Sequence, residues 1–266
     1  MVDGTVDHLV AEAPLALVIG DSRLLTIRTP TGDEDDEAWA RGFLLGEGIV
    51  TADAETVSIR RGEGDDGVPE LRIDLGEEAE ARIARAHEIR PSCGLCGSLG
   101  GEGLIVDGPT LVAGRPSMTV GAIAEMMTDL RSAQAVFDAT GACHAAALYT
   151  ATGDRVSFGE DVGRHNAVDK ALGRVVMAGR TSELGSLVGL LSGRAGFELV
   201  AKFLRAGVPV IASVSAPTAL ALDLCKEAGA TLLGFVRGDS GRVYWDAGRI
   251  SSPAGASSST GSGRRR

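Results

Sequence analysis

Residues 186–236 hold the passage that decides the fold. Ser186-Leu187-Val188-Gly189-Leu190-Leu191 is followed by Val208-Pro209-Val210-Ile211-Ala212-Ser213-Val214 and then by Thr231-Leu232-Leu233-Gly234-Phe235-Val236. Each run is short and apolar nearly throughout, as expected of a strand. Between them, 194–205 and 217–228 read as helices. Strands alternating with helices predict an α/β layered domain.

Working outward, Val168, Ala171, Leu172, Val175 and Val176 mark a preceding helix, and 145–150 and 155–158 read as strands around Thr152-Gly153-Asp154. Ile123, Met126, Met127, Leu130 and Phe137 keep helical spacing across 121–137, with the methionine pair read as core. Nearer the N-terminus, Pro14–Ile19 and Leu24–Ile27 flank Gly20-Asp21 and predict a hairpin. The acidic run Asp33-Glu34-Asp35-Asp36-Glu37 is expected in the first turn of a helix carrying Trp39, Phe43 and Leu44, as a solvated face suited to the helix dipole. Val57–Ile59 and Leu71–Leu75 predict two more strands. The expected organisation is an α+β domain over 5–110 that ends in a mobile Cys-x-x-Cys loop, an α/β domain over 111–250, and a disordered Ser/Gly/Ala-rich tail over 251–266.

At 266 residues and 44% hydrophobic composition the chain can bury a real core without staples. No stretch approaches the roughly 18 apolar residues of a membrane span, and the N-terminus lacks the pattern of a secretory leader, so the expected location is the cytoplasm. The net charge of −10 argues against general nucleic-acid binding. Residues 160–242, however, carry ten Lys/Arg against eight Asp/Glu, a net of +2 that suits an anionic ligand.

Chemistry concentrates first at Pro91-Ser92-Cys93-Gly94-Leu95-Cys96-Gly97, in glycine-rich surroundings. Such a pair has three readings: half a zinc site, a redox dithiol, or a sulfur carrier holding its cargo as a persulfide. Zinc needs further ligands, and Cys143-His144 is the one other adjacent Cys/His pair; neighbours in a strand point to opposite faces. A redox dithiol normally follows a strand and opens a helix, which these glycines do not favour. A mobile thiol arm suits a carrier that must meet a donor and an acceptor in turn. Cys225 reads as a buried small hydrophobe.

A second concentration is Asp161-Val162-Gly163-Arg164-His165-Asn166 at a helix start, followed by Asp169-Lys170. Six polar residues in ten exceed what capping requires. Three further segments lie where strands end: Ser192-Gly193-Arg194, Ser215-Ala216-Pro217-Thr218 and Phe235-Val236-Arg237-Gly238-Asp239-Ser240. In open α/β sheets ligands gather at the carboxyl ends of strands and helix N-termini favour phosphate, so together these segments suggest a nucleotide or phosphate-ester site.

The run of motifs resembles the formate dehydrogenase accessory sulfurtransferase family. The matching segments are Glu12-Ala13-Pro14, Thr29-Pro30, Gly42–Gly48, Ser92–Gly97, Thr140–Ala146, Glu160–Lys170, Ser192–Arg194, Ser215–Thr218 and Gly234–Gly238, in family order across residues 12–245. The resemblance implies a sulfurtransferase that takes sulfur from a cysteine desulfurase and passes it to the molybdenum cofactor, bis(molybdopterin guanine dinucleotide), for a formate dehydrogenase. It implies Cys93 as the persulfide carrier with Cys96 as its partner, and no metal of the protein's own. It places the guanine dinucleotide at Phe235, Val236, Arg237, Gly238, Asp239 and Ser240. Ser192, Arg194, Ser215, His144, Asp161, Arg164 and His165 join them as candidate cofactor contacts. It also implies a cytidine-deaminase-like C-terminal fold and a homodimer. Cys143 departs from the small residue expected before the histidine. Two alternatives remain: a chaperone that binds the cofactor without thiol chemistry, and a zinc-dependent deaminase-like hydrolase. Against the last, the spacing after Pro91 is one residue too long and Ala145-Ala146 supplies no catalytic Glu.

Overall fold

A computed structural model of the chain describes residues 7–51, 57–75 and 108–251. The expected hairpin is β1 (Ala13–Ile19) and β2 (Ser22–Arg28), turning at Gly20 with φ +54°. Alternate residues of β1 bury Leu15, Leu17 and Ile19. With β3 (Ser58–Glu63) and β4 (Pro69–Asp74) they form a four-stranded sheet in the order β2-β1-β4-β3, with β1 parallel to β4. Helix α1 (Asp33–Gly46) covers it with Trp39 and Leu44.

The second sheet has six strands in the order β10-β9-β8-β7-β5-β6. They are β5 (His144–Tyr149), β6 (Arg155–Asp161), β7 (Val188–Leu191), β8 (Val210–Ser213), β9 (Thr231–Arg237) and β10 (Ser240–Trp245). β7, β8 and β9 are mutually parallel, and β5 runs antiparallel to β7. One face carries α2 (Val120–Ser132) and the short α3 (Ala135–Thr140), with Met127 and Leu130 packed among residues such as Tyr149, Leu190 and Leu233. The other carries α4 (Arg164–Met177), α5 (Phe197–Arg205) and α6 (Ala219–Ala228), which bury Leu172, Phe203 and Leu224 on Leu148, Leu191 and Ile211. The α/β class read from 186–236 is the architecture found. Both faces are covered, which explains the unbroken apolar runs.

Three details differ from the sequence reading. The helix expected over 121–137 breaks at Ala133-Gln134 into α2 and α3. Residue 161 ends β6, and the helix begins at Arg164. β10 was not foreseen: it is an edge strand with little burial, so its sequence shows weak alternation.

The acidic run is also more than a solvated face. Asp35 and Asp36 are buried. Asp36 takes Arg28 at 2.6 Å, while Asp35 takes Arg174 and sits 3.3 Å from the Lys170 ammonium. α1 is a shared wall, with Leu44 in the core of the first sheet and Leu45 in the core of the second, so its first turn is enclosed.

Candidate functional site

Because β7, β8 and β9 are parallel, the residues that follow them emerge along one edge of the sheet: Ser192 after β7, Ser215 after β8, and Arg237 at the end of β9. β5 is antiparallel, so its first residue, His144, starts at that same edge. Ser192 is pinned there, since its Oγ accepts the Ala145 N–H at 2.7 Å and its N–H donates to the Ala145 carbonyl at 2.9 Å. Arg237 is steadied by its Nε donating to the Val214 carbonyl at 3.1 Å.

Two cavities open at this edge, on opposite faces of the sheet. The larger, about 600 Å³, lies on the α2/α3 face between Met127, Leu130, Phe137 and Gly141–His144 on one side and Ser192, Val214, Val236, Arg237 and Gly238 on the other. The smaller, about 260 Å³, lies on the α4/α5 face and is lined by Arg164, Leu191, Ser192, Gly193, Arg194, Leu199 and Ser215 with His144. His144 and Ser192 wall both.

The smaller cavity is cationic. Among the described residues the Arg164 guanidinium comes no nearer to a carboxylate than 3.9 Å, at Glu198, and Arg194 makes no ion pair. Both guanidiniums are therefore largely free to bind an anion. Among the described residues the Ser192 hydroxyl proton has no acceptor, and α4 and α5 begin nearby without side-chain caps. Partial burial, helped by the Arg164 charge, holds the His144 imidazole below its ordinary pKa. At neutral pH it is an uncharged group that both donates and accepts.

His165 lies beside the site. Its Nε2 meets Glu198 Oε2 at 2.6 Å, and burial outweighs the carboxylate to keep its pKa below the ordinary value. His165 lines neither cavity. Nor does Asp161, which is fully buried and belongs to the junction between the two sheets. Asp161 accepts from Thr29 N at 3.1 Å, Gly163 N at 2.8 Å and Asn166 Nδ2 at 3.0 Å, and it pairs with Lys170 at 2.8 Å. Asn166 in turn donates to the Ile27 carbonyl and accepts from Trp39 Nε1. The polar residues of 161–170 thus chiefly tie α4 to β2 and α1, and Arg164 alone of the segment reaches a cavity.

Of the segment 235–240, Val236, Arg237 and Gly238 line the larger cavity. Gly238 and Asp239 form the turn into β10, which begins at Ser240. Phe235 takes φ +52°, donates its N–H to the Ser215 carbonyl, and turns its ring outward with Arg242 5.8 Å from the ring centre. Cys143 is buried against Thr29 Oγ1, and burial raises its thiol pKa, which makes it a poor thiolate. The Cys225 thiol is pushed up to about 12 by burial within α6. Cys93 and Cys96 lie outside the described residues, as does most of the expected tail. Among the described residues no three His, Cys, Asp or Glu side chains gather as metal ligands, and no helix is long and apolar enough to cross a membrane.

The sequence reading missed Gln134, Arg131, Phe137 and Val214 as cavity residues. The available signal was Gly141, which adopts φ +69° to close α3. A glycine C-cap so soon after 121–137 marks a second, separate helix end.

Three comparisons place this architecture. Residues 10–251 match the model of the FdhD/NarQ family. The chain is 42% identical over 255 residues to the sulfur carrier protein FdhD of Mycolicibacterium paratuberculosis, covering 92% of each chain. It is 41% identical over 255 residues to the sulfur carrier protein FdhD of Streptomyces coelicolor, covering 92% of this chain and 89% of that one. The crystal structure of a protein described as a formate dehydrogenase accessory protein, from Desulfotalea psychrophila, superposes with a TM-score of 0.68 at 25% identity, covering 92% of this chain and 91% of that one.

Proposed function

This chain belongs to the FdhD/NarQ family, and on that premise we propose that it is a sulfur carrier in formate dehydrogenase maturation whose sheet-edge cavities bind the acceptor. In this reading the Cys93 thiolate attacks the outer sulfur of a persulfide on a cysteine desulfurase. The donor S–S bond breaks, a new one forms on Cys93, and the donor cysteine leaves as a thiol with the proton that Cys93 gave up. The Cys96 thiolate then attacks the inner sulfur on Cys93, the persulfide S–S bond breaks, a Cys93–Cys96 disulfide forms, and the outer sulfur leaves as hydrosulfide to the molybdenum cofactor, bis(molybdopterin guanine dinucleotide), bound as substrate. Cys96 supplies the second thiol of the arm.

The observation that carries the acceptor half is the junction at His144 and Ser192. A largely apolar cavity suits a flat heterocycle, and a cationic one suits phosphates. The two meet at a sheet edge, the usual place for a dinucleotide to cross. Arg164 and Arg194 would hold phosphate oxygens, with Arg237 at the rim of the apolar cavity.

The donor half is tested by mass spectrometry after incubation with a cysteine desulfurase and cysteine. The expected result is one added sulfur on the Cys93 peptide. A Cys93→Ala protein that still matures formate dehydrogenase overturns the assignment, and would favour a chaperone that needs no thiol.

A further inference from the structure

Gln134 occupies the break between α2 and α3. Its backbone is satisfied: the N–H donates to the Arg131 carbonyl and the carbonyl accepts from Asp138 N. Its side chain is not. It stands at the N-cap of α3 yet makes no capping bond, and its amide has no partner among the described residues. The residue is only 3% exposed and lines the 600 Å³ cavity. Among the described residues the sealed side-chain atoms without partners are Arg28 Nη1 and Ser157 Oγ. The Gln134 amide is not among them, so the little surface it keeps faces the cavity.

An unpartnered amide in an apolar wall is costly to the free protein, because water contacts are lost and nothing replaces them. The rest of the wall shows what would complete it. Met127, Leu130 and Val236 offer flat apolar contact. The Arg131 guanidinium lies 4.8 Å from the centre of the Phe137 ring and is held by Asp138 at 2.6 Å, which gives the rim a fixed shape. A cavity of this size lies within the range of about 300–1,000 Å³ typical of small-molecule sites. An amide presents one acceptor beside two donors, which complements a ring N–H beside a ring C=O.

We propose that Gln134 is a specificity-determining residue that pairs with the lactam edge of a 2-amino-4-oxo heterocycle seated in the apolar cavity. The Gln134 Oε1 accepts the ring N–H, and Nε2 donates to the ring carbonyl. This rests on the cofactor reading above, since guanine and pterin both carry that edge.

The experiment is calorimetric titration of the full chain and of Gln134→Leu with GDP, with pterin-6-carboxylate and with pyrophosphate. Leucine keeps most of the volume and removes both polar atoms. The expected result is a loss of at least about tenfold in affinity for one heterocycle, with pyrophosphate binding unchanged. Loss toward GDP alone identifies guanine as the seated ring, and loss toward pterin-6-carboxylate alone identifies the pterin. The thermal midpoint of Gln134→Leu should hold or rise, because an unpartnered polar group has been removed. Wild-type binding of either heterocycle with unchanged affinity in Gln134→Leu overturns this inference and leaves the cofactor reading standing. Wild-type protein that binds neither heterocycle overturns both.

Discussion

Gly42 and Gly173 face each other where α1 crosses α4, in contact too close for a side chain. A methyl group on Gly42 would lie 1.7 Å from the Asp169 carbonyl oxygen, and one on Gly173 would lie 1.7 Å from the Ala38 carbonyl oxygen. Each clash is with helix backbone, which cannot swing aside as a flexible side chain would. The crossing joins the helix of the first sheet to a helix of the second, so this contact sets their relative position.

Gly42→Ala or Gly173→Ala should therefore cost about 3 kcal/mol or more, at the upper end of overpacking effects. Denaturant unfolding of either variant checks it. A cost below about 1 kcal/mol, within the range of ordinary surface changes, would mean that the helices separate more easily than the geometry allows.

Asp161 and Lys170 form the polar half of the same junction. The ammonium is fully buried and also approaches Asp35 at 3.3 Å, the Thr29 carbonyl at 3.4 Å and the Glu160 carbonyl at 3.2 Å. Lys170→Met leaves the buried Asp161 carboxylate without its cation, removes one of the two cations at Asp35, and should destabilise the fold by about 3–5 kcal/mol. The double variant Asp161→Asn/Lys170→Met should recover part of that loss. GDP affinity per folded molecule should be unchanged in both, because neither residue lines a cavity. Selective loss of nucleotide binding in a stably folded variant would return these residues to the ligand site.

The alternating strands and helices of 186–236 were legible because the central parallel strands are buried on both faces and the crossovers are long. The strand-end residues Ser192, Arg194, Ser215 and Arg237 were legible for the same reason, since parallel strands bring their carboxyl ends to one edge. Asp161, expected among the cofactor contacts, is fully buried and paired with Lys170. A charged residue at the turn from a strand to a helix has the same sequence signature whether it faces a ligand or a buried lysine from a neighbouring turn. Gln134 carried no signal of its own beyond the separate helix end that Gly141 marks, because its place depends on a break in an otherwise regular apolar helix pattern. Phe235 satisfied the motif, yet its positive φ turns the ring away from the cavity that its neighbours line.

Lys202 is shared between two carboxylates, Asp169 at 2.7 Å and Glu47 at 2.7 Å. One ammonium cannot fully compensate both in a buried setting. Burial, reinforced by the Glu47 and Asp161 charges, outweighs Lys202 and pushes Asp169 up to about 7, while Lys202 and Arg205 hold Glu47 below the usual range. A carboxyl whose folded pKa is raised favours the folded state at low pH. Between its unfolded value near 4 and about 7, the unfolded chain has lost a proton that the native protein keeps. Stability should thus fall as pH rises through that window, with a contribution approaching about 1.4 kcal/mol per pH unit. The Glu47 contribution has the opposite sign and is lost as pH falls below about 4.5. Thermal midpoints from pH 4 to 8 test this. Asp169→Asn should flatten the decline between pH 4 and 7, and an unchanged slope would place the proton elsewhere.

Arg194 and Arg164 give the clearest test of the cationic cavity. Arg194 is exposed and makes no ion pair among the described residues, and Arg164 has a carboxylate no closer than 3.9 Å, so neither is committed to holding the fold. Arg194→Gln should leave the thermal midpoint within about 1 °C, as surface substitutions away from the core usually do. It should weaken GDP and pyrophosphate alike by about tenfold or more, the worth of a charge-assisted hydrogen bond. It should also reduce the dependence of affinity on salt, because one cation that salt would screen has been removed. Arg164→Gln should act in the same direction. Arg237→Ala, at the rim of the apolar cavity, should weaken GDP more than pyrophosphate. If instead Arg194→Gln and Arg164→Gln bind pyrophosphate as the wild type does, while Arg237→Ala does not, the phosphates lie on the α2/α3 face and the smaller cavity is not their site.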